Sequence, residues 1–277
     1  MDNREDIYYH YCTLEALESI LDSKTLWLCD LTESNDAQEV YRAYVPLWND
    51  VKAKLMESDI DKQLLKQQIE YLDSTFHLQR ITDIPYGCCF CKEKDEVQYW
   101  KEYGNELKGV SIGFELRKIK GLKKQYPKAS ADITNAIGYE NVIYDVCELT
   151  DEMYQICYEA LKLWGGRAWL MVILPTFKMY ASFIKNPSFK SEKETRIVFL
   201  PDENFNNSLD NLKKKATDKG NVYELGWLND GVSALRTITL GTECNATEED
   251  VRGLLRSMGL NMDIEITRSQ CSYRKRR

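Results

Sequence analysis

The sequence of 277 residues has only two histidines, His10 and His77, and it lacks a long apolar run. With so few imidazoles, a histidine-rich metal site or a Ser/His/Asp triad has few ways to form. The most apolar stretch, residues 168–174, is far shorter than the roughly 20 residues that a membrane-spanning helix needs. We therefore expect no membrane partner.

The chain also lacks an excess of positive charge, because its formal net charge is -7. This balance argues against a protein that coats nucleic acid with its whole surface. Basic runs occur at 117–124, 213–215 and 274–277, and their simplest interpretation is a solvated surface. The alternative, that one of them follows the phosphates of RNA or DNA, defines a nucleic-acid-processing protein as a further hypothesis.

Internal repeats and linkers rich in glycine, serine or proline are also missing, and residues 1–6 are too polar for a signal peptide. The nine cysteines form an odd number, which favours free thiols in a reduced, cytoplasmic compartment. Zinc is an alternative for Cys88, Cys89 and Cys91. Their spacing disfavours it, because adjacent strand residues point to opposite faces, so we expect no metal.

Strand and helix patterns predict a single α+β domain over residues 1–277. The strand-like segments do not alternate regularly with helices, which argues against a doubly wound parallel sheet. Apolar spacing over about 37–77 predicts a helical insertion in the form of a two-helix hairpin, and residues 204–220 read as a polar, lysine-rich excursion. Predicted strands cover 7–13, 25–29, 85–91, 110–115, 137–144, 195–200, 234–240 and 262–267, and predicted helices cover 14–21, 96–103, 149–184 and 247–258.

His10 is the first candidate functional residue, because it ends the opening strand just before a helix. A side chain whose backbone is fixed on both sides meets a ligand with little entropy left to lose. Tyr11 and Thr13 share this junction. The alternative is a structural histidine that is hydrogen-bonded to nearby backbone.

Two further motifs carry groups suited to chemistry. Trp100 and Tyr103 precede Gly104 and a glycine-containing strand, although helical spacing also suits them as core aromatics. Glu192, Glu194 and Arg196 alternate, so we expect them on one face of a strand. The alternative for these three is an exposed ladder of surface ion pairs.

In this order, and together with Asn35-Asp36 and the strand at 238–241, the motifs resemble the domain of unknown function 2971 (DUF2971) family over about residues 7–270. That family is remotely similar to the ADP-ribosyltransferase fold of the His/Tyr/Glu type. The resemblance implies split or strongly curved mixed β-sheets that form a cleft, with helical insertions.

The resemblance also implies roles in binding NAD, the substrate. His10 matches the histidine that contacts the adenosine ribose, and Tyr11 and Thr13 would lie close by. Tyr103 or Tyr99 would stack on nicotinamide beside Trp100. Glu194 matches the glutamate that binds the nicotinamide ribose, with Glu192 as its competitor, and Arg196 would bind the pyrophosphate or hold the carboxylate.

The implied function is cleavage of the nicotinamide–ribose bond of NAD and transfer of ADP-ribose to a protein, a nucleic acid or water, as in bacterial defence or toxin effectors. Such a reaction passes through an oxocarbenium-like state that needs a nearby carboxylate and a fixed substrate geometry. The alternative is a non-catalytic module of the same fold that binds a nucleotide or a partner. The enzyme hypothesis requires His10 and Glu194 to face one cavity.

Overall fold

A computed structural model describes residues 6–33, 39–76, 84–127, 136–164, 173–174, 176–177, 179–201, 209–218, 220–260 and 263–272. His77, Asn35-Asp36, the basic run at 274–277 and most of the apolar stretch at 168–174 lie outside these ranges. None of the helices within them combines the length and hydropathy that a bilayer crossing requires.

The described elements are strands and helices in mixed order. The strands are β1 (Ile7–Cys12), β2 (Thr25–Asp30), β3 (Tyr86–Cys91), β4 (Val110–Glu115), β5 (Ile137–Asn141), β6 (Glu194–Phe199), β7 (Leu212–Thr217), β8 (Gly220–Gly226), β9 (Leu228–Asn229), β10 (Val232–Ser233), β11 (Leu235–Leu240) and β12 (Glu265–Arg268). The helices are α1 (Leu14–Ser23), α2 (Glu39–Glu57), α3 (Lys62–Phe76), α4 (Val97–Glu102), α5 (Cys147–Trp164) and α6 (Glu248–Ser257).

The opening strand–helix–strand unit is confirmed, and local chemistry explains its sharp corners. The Thr13 hydroxyl accepts a hydrogen bond from the Ala16 amide at 3.2 Å and so caps α1. Lys24, with a φ of 55°, ends the helix in the left-handed region. Leu17 and Leu21 are fully buried one turn apart, so α1 packs on the sheet through one face.

A large mixed sheet runs in the order β12–β11–β4–β1–β3–β2–β8–β7, with β6 on β3 and β5 on β6. Its strand pairs are antiparallel except for β11 and β12, which are parallel. The predicted mixed α+β class is therefore confirmed, and the sheet is not of the doubly wound parallel type.

The sheet branches at β3. On one side β3 pairs with β6 over its whole length. On the other side it pairs with β2 through Tyr86 and Gly87 and with β1 through Cys91. Cys88, Cys89 and Phe90 have no register partner there among the described strands, so β1 and β2 diverge and leave a gap beside β3.

Two hydrophobic cores meet at β6, which is buried along its whole length. Ile197 and Phe199 belong to the core between the sheet, α1 and α6. Val198 belongs to the second core, which α2, α3 and α5 build on the other side. The predicted two-helix insertion is thus present and packs against the sheet through β6.

The polar excursion predicted for 204–220 is wrong over its second half, which forms the edge hairpin of β7 and β8. Lys213, Lys214 and Lys215 are all exposed on β7, so this strand shows no alternation of apolar and polar residues. Charged edge strands of this kind oppose unwanted pairing with other chains. The strand predicted for 137–144 is shorter, because β5 ends at Asn141.

Candidate functional site

A pocket of about 120 Å³ opens where β1 and β3 part. Pockets that hold drug-sized ligands measure about 300–1,000 Å³, so this smaller pocket has room for one ring or another small group. Seven of the residues named as candidates from the sequence line it: His10, Tyr11, Tyr99, Tyr103, Glu192, Glu194 and Arg196. The structure therefore brings together side chains from distant parts of the chain, as the enzyme hypothesis required.

Two predicted site residues do not line the pocket. Thr13 caps α1 instead. Trp100 is fully buried, and its indole nitrogen donates a hydrogen bond to Asp95 Oδ1 at 2.6 Å. Trp100 therefore supports the pocket wall from behind, as in the alternative of a core aromatic.

His10 lies at the branch of the sheet. Its Nδ1 is 2.9 Å from the carbonyl oxygen of Cys89, in the stretch of β3 without a strand partner on that side. Burial lowers the pKa of His10, and the hydrogen bond to Cys89 only partly offsets this effect. A neutral ring that donates from Nδ1 leaves Nε2 as a hydrogen-bond acceptor.

Aromatic side chains form one wall of the pocket. Tyr11 contacts Trp100 edge-on at a ring-centroid distance of 4.9 Å and Tyr99 at 5.4 Å. The hydroxyls of Tyr11 and Tyr99 donate to the backbone carbonyls of Glu93 and Glu192. Tyr103 is 36% exposed, which makes it the aromatic side chain of this wall that is best placed to meet a ligand.

Four charged side chains form the polar wall: Lys185, Glu192, Glu194 and Arg196. Arg196 binds Glu194 through two nitrogens, with Nε–Oε1 at 2.5 Å and Nη2–Oε2 at 3.1 Å. Lys185 Nζ lies 2.6 Å from Glu192 Oε2 and 2.9 Å from Glu194 Oε2. All four side chains are buried, so the alternative of an exposed ladder of ion pairs is wrong.

The prediction that Glu192 shares a strand with Glu194 and Arg196 is also wrong. Glu192 ends a 3₁₀ turn that spans Pro187–Glu192, and Lys193 follows in the left-handed region with a φ of 42°. Strand β6 begins only at Glu194. The chain thus turns between the two glutamates and brings Glu192 to the pocket from a loop rather than from the sheet.

The electrostatics of the polar wall keep Glu194 ionised. Burial alone would raise its pKa, but Arg196 and Lys185 outweigh that effect and lower it to about 2.

Sequence analysis did not predict five of the residues that line the pocket: Tyr9, Cys89, Phe90, Cys91 and Lys185. Lys185 follows the buried residues Phe183 and Ile184, so a charge directly after an apolar run was its available signal. No periodic pattern links Lys185 to Glu192 and Glu194, because a short 3₁₀ turn and the left-handed residue Lys193 bring them together.

Within the described ranges, no group of three or more His, Cys, Asp or Glu side chains is arranged to hold a metal ion.

Comparison with known proteins gives one match. No curated protein and no solved structure matches the chain. The matching family segment runs from α4 into β6 and contains Tyr103, Lys185, Glu192, Glu194 and Arg196, whereas His10 lies outside it. Residues 99–197 match the model of the family described as "Protein of unknown function (DUF2971)", so the family resemblance predicted from the sequence is confirmed over this segment.

Proposed function

We propose that the pocket binds NAD and that the protein cleaves the nicotinamide–ribose bond, with transfer of ADP-ribose to a macromolecule or to water. The observation that carries this proposal is the convergence of His10, Tyr103 and the two glutamates on one pocket from distant parts of the chain. The branch of the sheet beside His10 is consistent with the split sheet of an ADP-ribosyltransferase-like fold.

The dimensions and chemistry of the pocket suit this substrate. A volume of about 120 Å³ suits the nicotinamide end of NAD, while the adenine end lies outside the pocket. Tyr103 offers a partly exposed ring for stacking. The acceptor nitrogen of His10 matches the hydroxyl of a ribose, which donates a hydrogen bond.

In the proposed reaction, nicotinamide leaves with the electron pair of the broken C–N bond, and positive charge develops on the ribose. A carboxylate fixed in a water-poor site stabilises such charge strongly, because its environment does not have to reorganise. The acceptor then attacks the anomeric carbon of the ribose and loses its proton. Glu192 and Glu194 are the carboxylates that the pocket provides.

The test is release of nicotinamide from NAD by the purified protein. We expect release by the wild type and a loss of at least about 100-fold in the Glu192→Gln/Glu194→Gln double variant. His10→Ala is expected to raise the KM for NAD. Glu249→Gln, on the exposed face of α6, is the matched control and should leave the rate unchanged. A wild type that releases no nicotinamide and does not bind NAD contradicts the proposal.

The acceptor follows from the products of the same assay. Free ADP-ribose in the absence of any macromolecule identifies water as the acceptor. Retention of ADP-ribose on added protein or nucleic acid identifies a transferase, as expected for a defence or toxin effector in the cytoplasm.

A second candidate function is a non-catalytic module that binds a nucleotide or a partner chain. The observation that favours it is the tight pairing of Glu194 with Arg196 and Lys185, which occupies that carboxylate in the structure. Binding of NAD or ADP-ribose without nicotinamide release, both measured on the wild type, is the result expected for this alternative.

A further inference from the structure

We infer that, within the proposed reaction, Glu192 is the carboxylate presented to the substrate ribose, and that Lys185 is the positioning residue that holds it. This inference rests on the proposed function and deepens it. The family resemblance gave Glu194 the catalytic role, whereas the contacts within the pocket favour its neighbour.

Glu194 has little remaining capacity to accept a hydrogen bond. An ionised carboxylate has about four acceptor positions. In Glu194, Arg196 occupies two of them and Lys185 occupies a third. A pair of ribose hydroxyls could therefore bind Glu194 only by displacing one of these buried donors.

Glu192 is held by fewer donors. Among the described residues, its side chain accepts from Lys185 at Oε2 and from the Tyr103 hydroxyl at Oε1, at 2.6 Å and 3.0 Å. Each of the two oxygens can therefore accept one further hydrogen bond, so the carboxylate can bind a pair of ribose hydroxyls. Its partner Tyr103 is also the partly exposed aromatic of the pocket, so the carboxylate and the stacking ring are linked directly.

Lys185 is well placed to fix this carboxylate. Its backbone amide donates to the Ile143 carbonyl at 3.0 Å, which ties the loop to the segment that follows β5. Its ammonium group bridges Glu192 and Glu194 and lies 4.9 Å from the centre of the Phe189 ring. Arg196 anchors Glu194, and the Lys185 ammonium group contacts both glutamates. Lys185 therefore holds Glu192, at the end of the 3₁₀ turn, in a fixed position relative to Glu194.

The balance of charge suits this division of roles. Two buried cations face two buried carboxylates, and such networks seldom add net stability compared with apolar residues of the same size. When such a network of buried charges lines a pocket, it is commonly part of a functional site. Here Glu194 and Arg196 form the fixed pair, and Lys185 connects the second carboxylate to it.

The experiment compares single and double variants in the nicotinamide-release assay, with thermal unfolding followed in parallel. We expect Glu192→Gln to lower kcat by at least about 100-fold with little change in KM and a modest loss of Tm, because Lys185 keeps Glu194 as its partner. Glu194→Gln should lower the Tm more, because it removes the shared partner of two buried cations, and should lower the kcat of the folded fraction less.

A double-variant cycle tests Lys185. We expect Lys185→Met to lower kcat about 10-fold or more in the wild type and less than about 2-fold in the Glu192→Gln background, because both changes remove one function. Tyr103→Phe keeps the ring and removes the second donor to Glu192. If Lys185→Met does not fold, the effect of Tyr103→Phe on kcat is compared between the wild type and the Glu192→Gln background in the same way, because Tyr103 is partly exposed.

The outcomes separate this inference from the proposed function. A wild type that releases no nicotinamide overturns both. An active wild type in which Glu194→Gln abolishes kcat and Glu192→Gln does not overturns the assignment of the carboxylate. The positioning role is overturned if Lys185→Met and Tyr103→Phe each lower kcat by the same factor in the wild type and in the Glu192→Gln background.

Discussion

At the scale of the residue, His10 satisfies two interpretations at once. It binds backbone, as a structural histidine would, and it also lines the pocket. The Cys89 carbonyl lies where β3 has neither β1 nor β2 as a partner, so the imidazole replaces a missing strand contact. The hydrogen bond to Cys89 therefore fixes the orientation of the His10 ring, which lines the pocket and can contact a ligand there.

His10 should make the stability of the protein depend on pH near neutrality. Its folded pKa lies below its ordinary value of 6.5, so the unfolded chain binds a proton more readily. The stability that the neutral ring contributes is complete above about pH 6.5 and is lost as the pH falls towards the folded pKa. Urea unfolding between pH 5 and 8 should show this slope in the wild type.

His10→Asn is the variant for this measurement, because its amide can still donate to Cys89 but does not titrate. We expect the stability difference between wild type and variant to change with pH in the stated direction. His77→Asn controls for the second histidine of the chain. A difference that stays constant from pH 5 to 8 would show that His10 does not titrate abnormally.

Glu194 should produce a second pH dependence at acid pH. Its pKa of about 2 lies below the ordinary value of 4.5, so its contribution is complete above pH 4.5 and is lost as the pH falls towards 2. Carbon-13 NMR of the glutamate carboxyl groups should show one carboxylate that titrates near pH 2 and disappears in Glu194→Gln. A Glu194 signal that titrates near pH 4.5 contradicts this prediction.

At the scale of the element, the strand β4 lies in the sheet only because Gly109, just before it, has no side chain. A Cβ atom at this position would lie 2.1 Å from the Cys12 carbonyl oxygen. Such a contact cannot be relieved by a side-chain rotation, since the neighbouring atom is backbone. The close contact between the backbones of Gly109 and Cys12 holds the end of β1, and with it Tyr11, against the start of β4.

Gly109→Ala should therefore lower the free energy of unfolding by more than about 2 kcal/mol. The matched control is Gly253→Ala in α6, where a Cβ atom would have no neighbour within 4 Å. That change should stabilise the protein by about 0.5–1 kcal/mol, because alanine is the better helix former. Denaturant unfolding of both variants tests the contrast, and equal effects would contradict it.

Helix α4 shows how a second element supports the pocket. The Asp95 carboxylate, just before this helix, accepts from Trp100 Nε1 at 2.6 Å, from Ser269 Oγ at 2.5 Å and from the Gln270 amide at 2.8 Å. One carboxylate thus ties the segment after β12 to the helix that carries Tyr99. Tyr103, one residue past the helix, depends on the same anchor.

Asp95→Ala should cost about 1–3 kcal/mol of stability, because it leaves the buried indole N–H of Trp100 without its acceptor. The additional replacement Trp100→Phe removes the orphaned N–H and should recover part of this loss. Thermal unfolding of the single and double variants measures it. A Tm that is unchanged in Asp95→Ala would show that the anchor contributes nothing.

At the scale of the whole molecule, β6 connects the two largest hydrophobic cores of the described residues. Ile197 and Phe199 pack into one core and Val198 packs into the other. Loss of either core exposes one face of this strand and breaks the polar wall of the pocket. We therefore expect one cooperative thermal transition, with equal calorimetric and van't Hoff enthalpies. Two resolved transitions would contradict a single domain over residues 1–277.

The sequence by itself determined the local structure. Period-two and helical spacing predicted most strands and helices correctly, and in the structure Thr13 and Thr247 cap two of these helices. It failed at β7, because an edge strand solvated on both faces carries no periodic signal. It also placed Glu192 on a strand, because alternation continues past the left-handed turn at Lys193.

Only the tertiary structure decided which side chains share the pocket. His10 and Glu194 meet because β3 pairs with both β1 and β6, a contact between segments with no local relation. Lys185 joins them through a loop, and its role depends on distances to two carboxylates rather than on any spacing in the chain. Local sequence sets backbone geometry over a few residues, whereas burial and charge pairing depend on the packed whole.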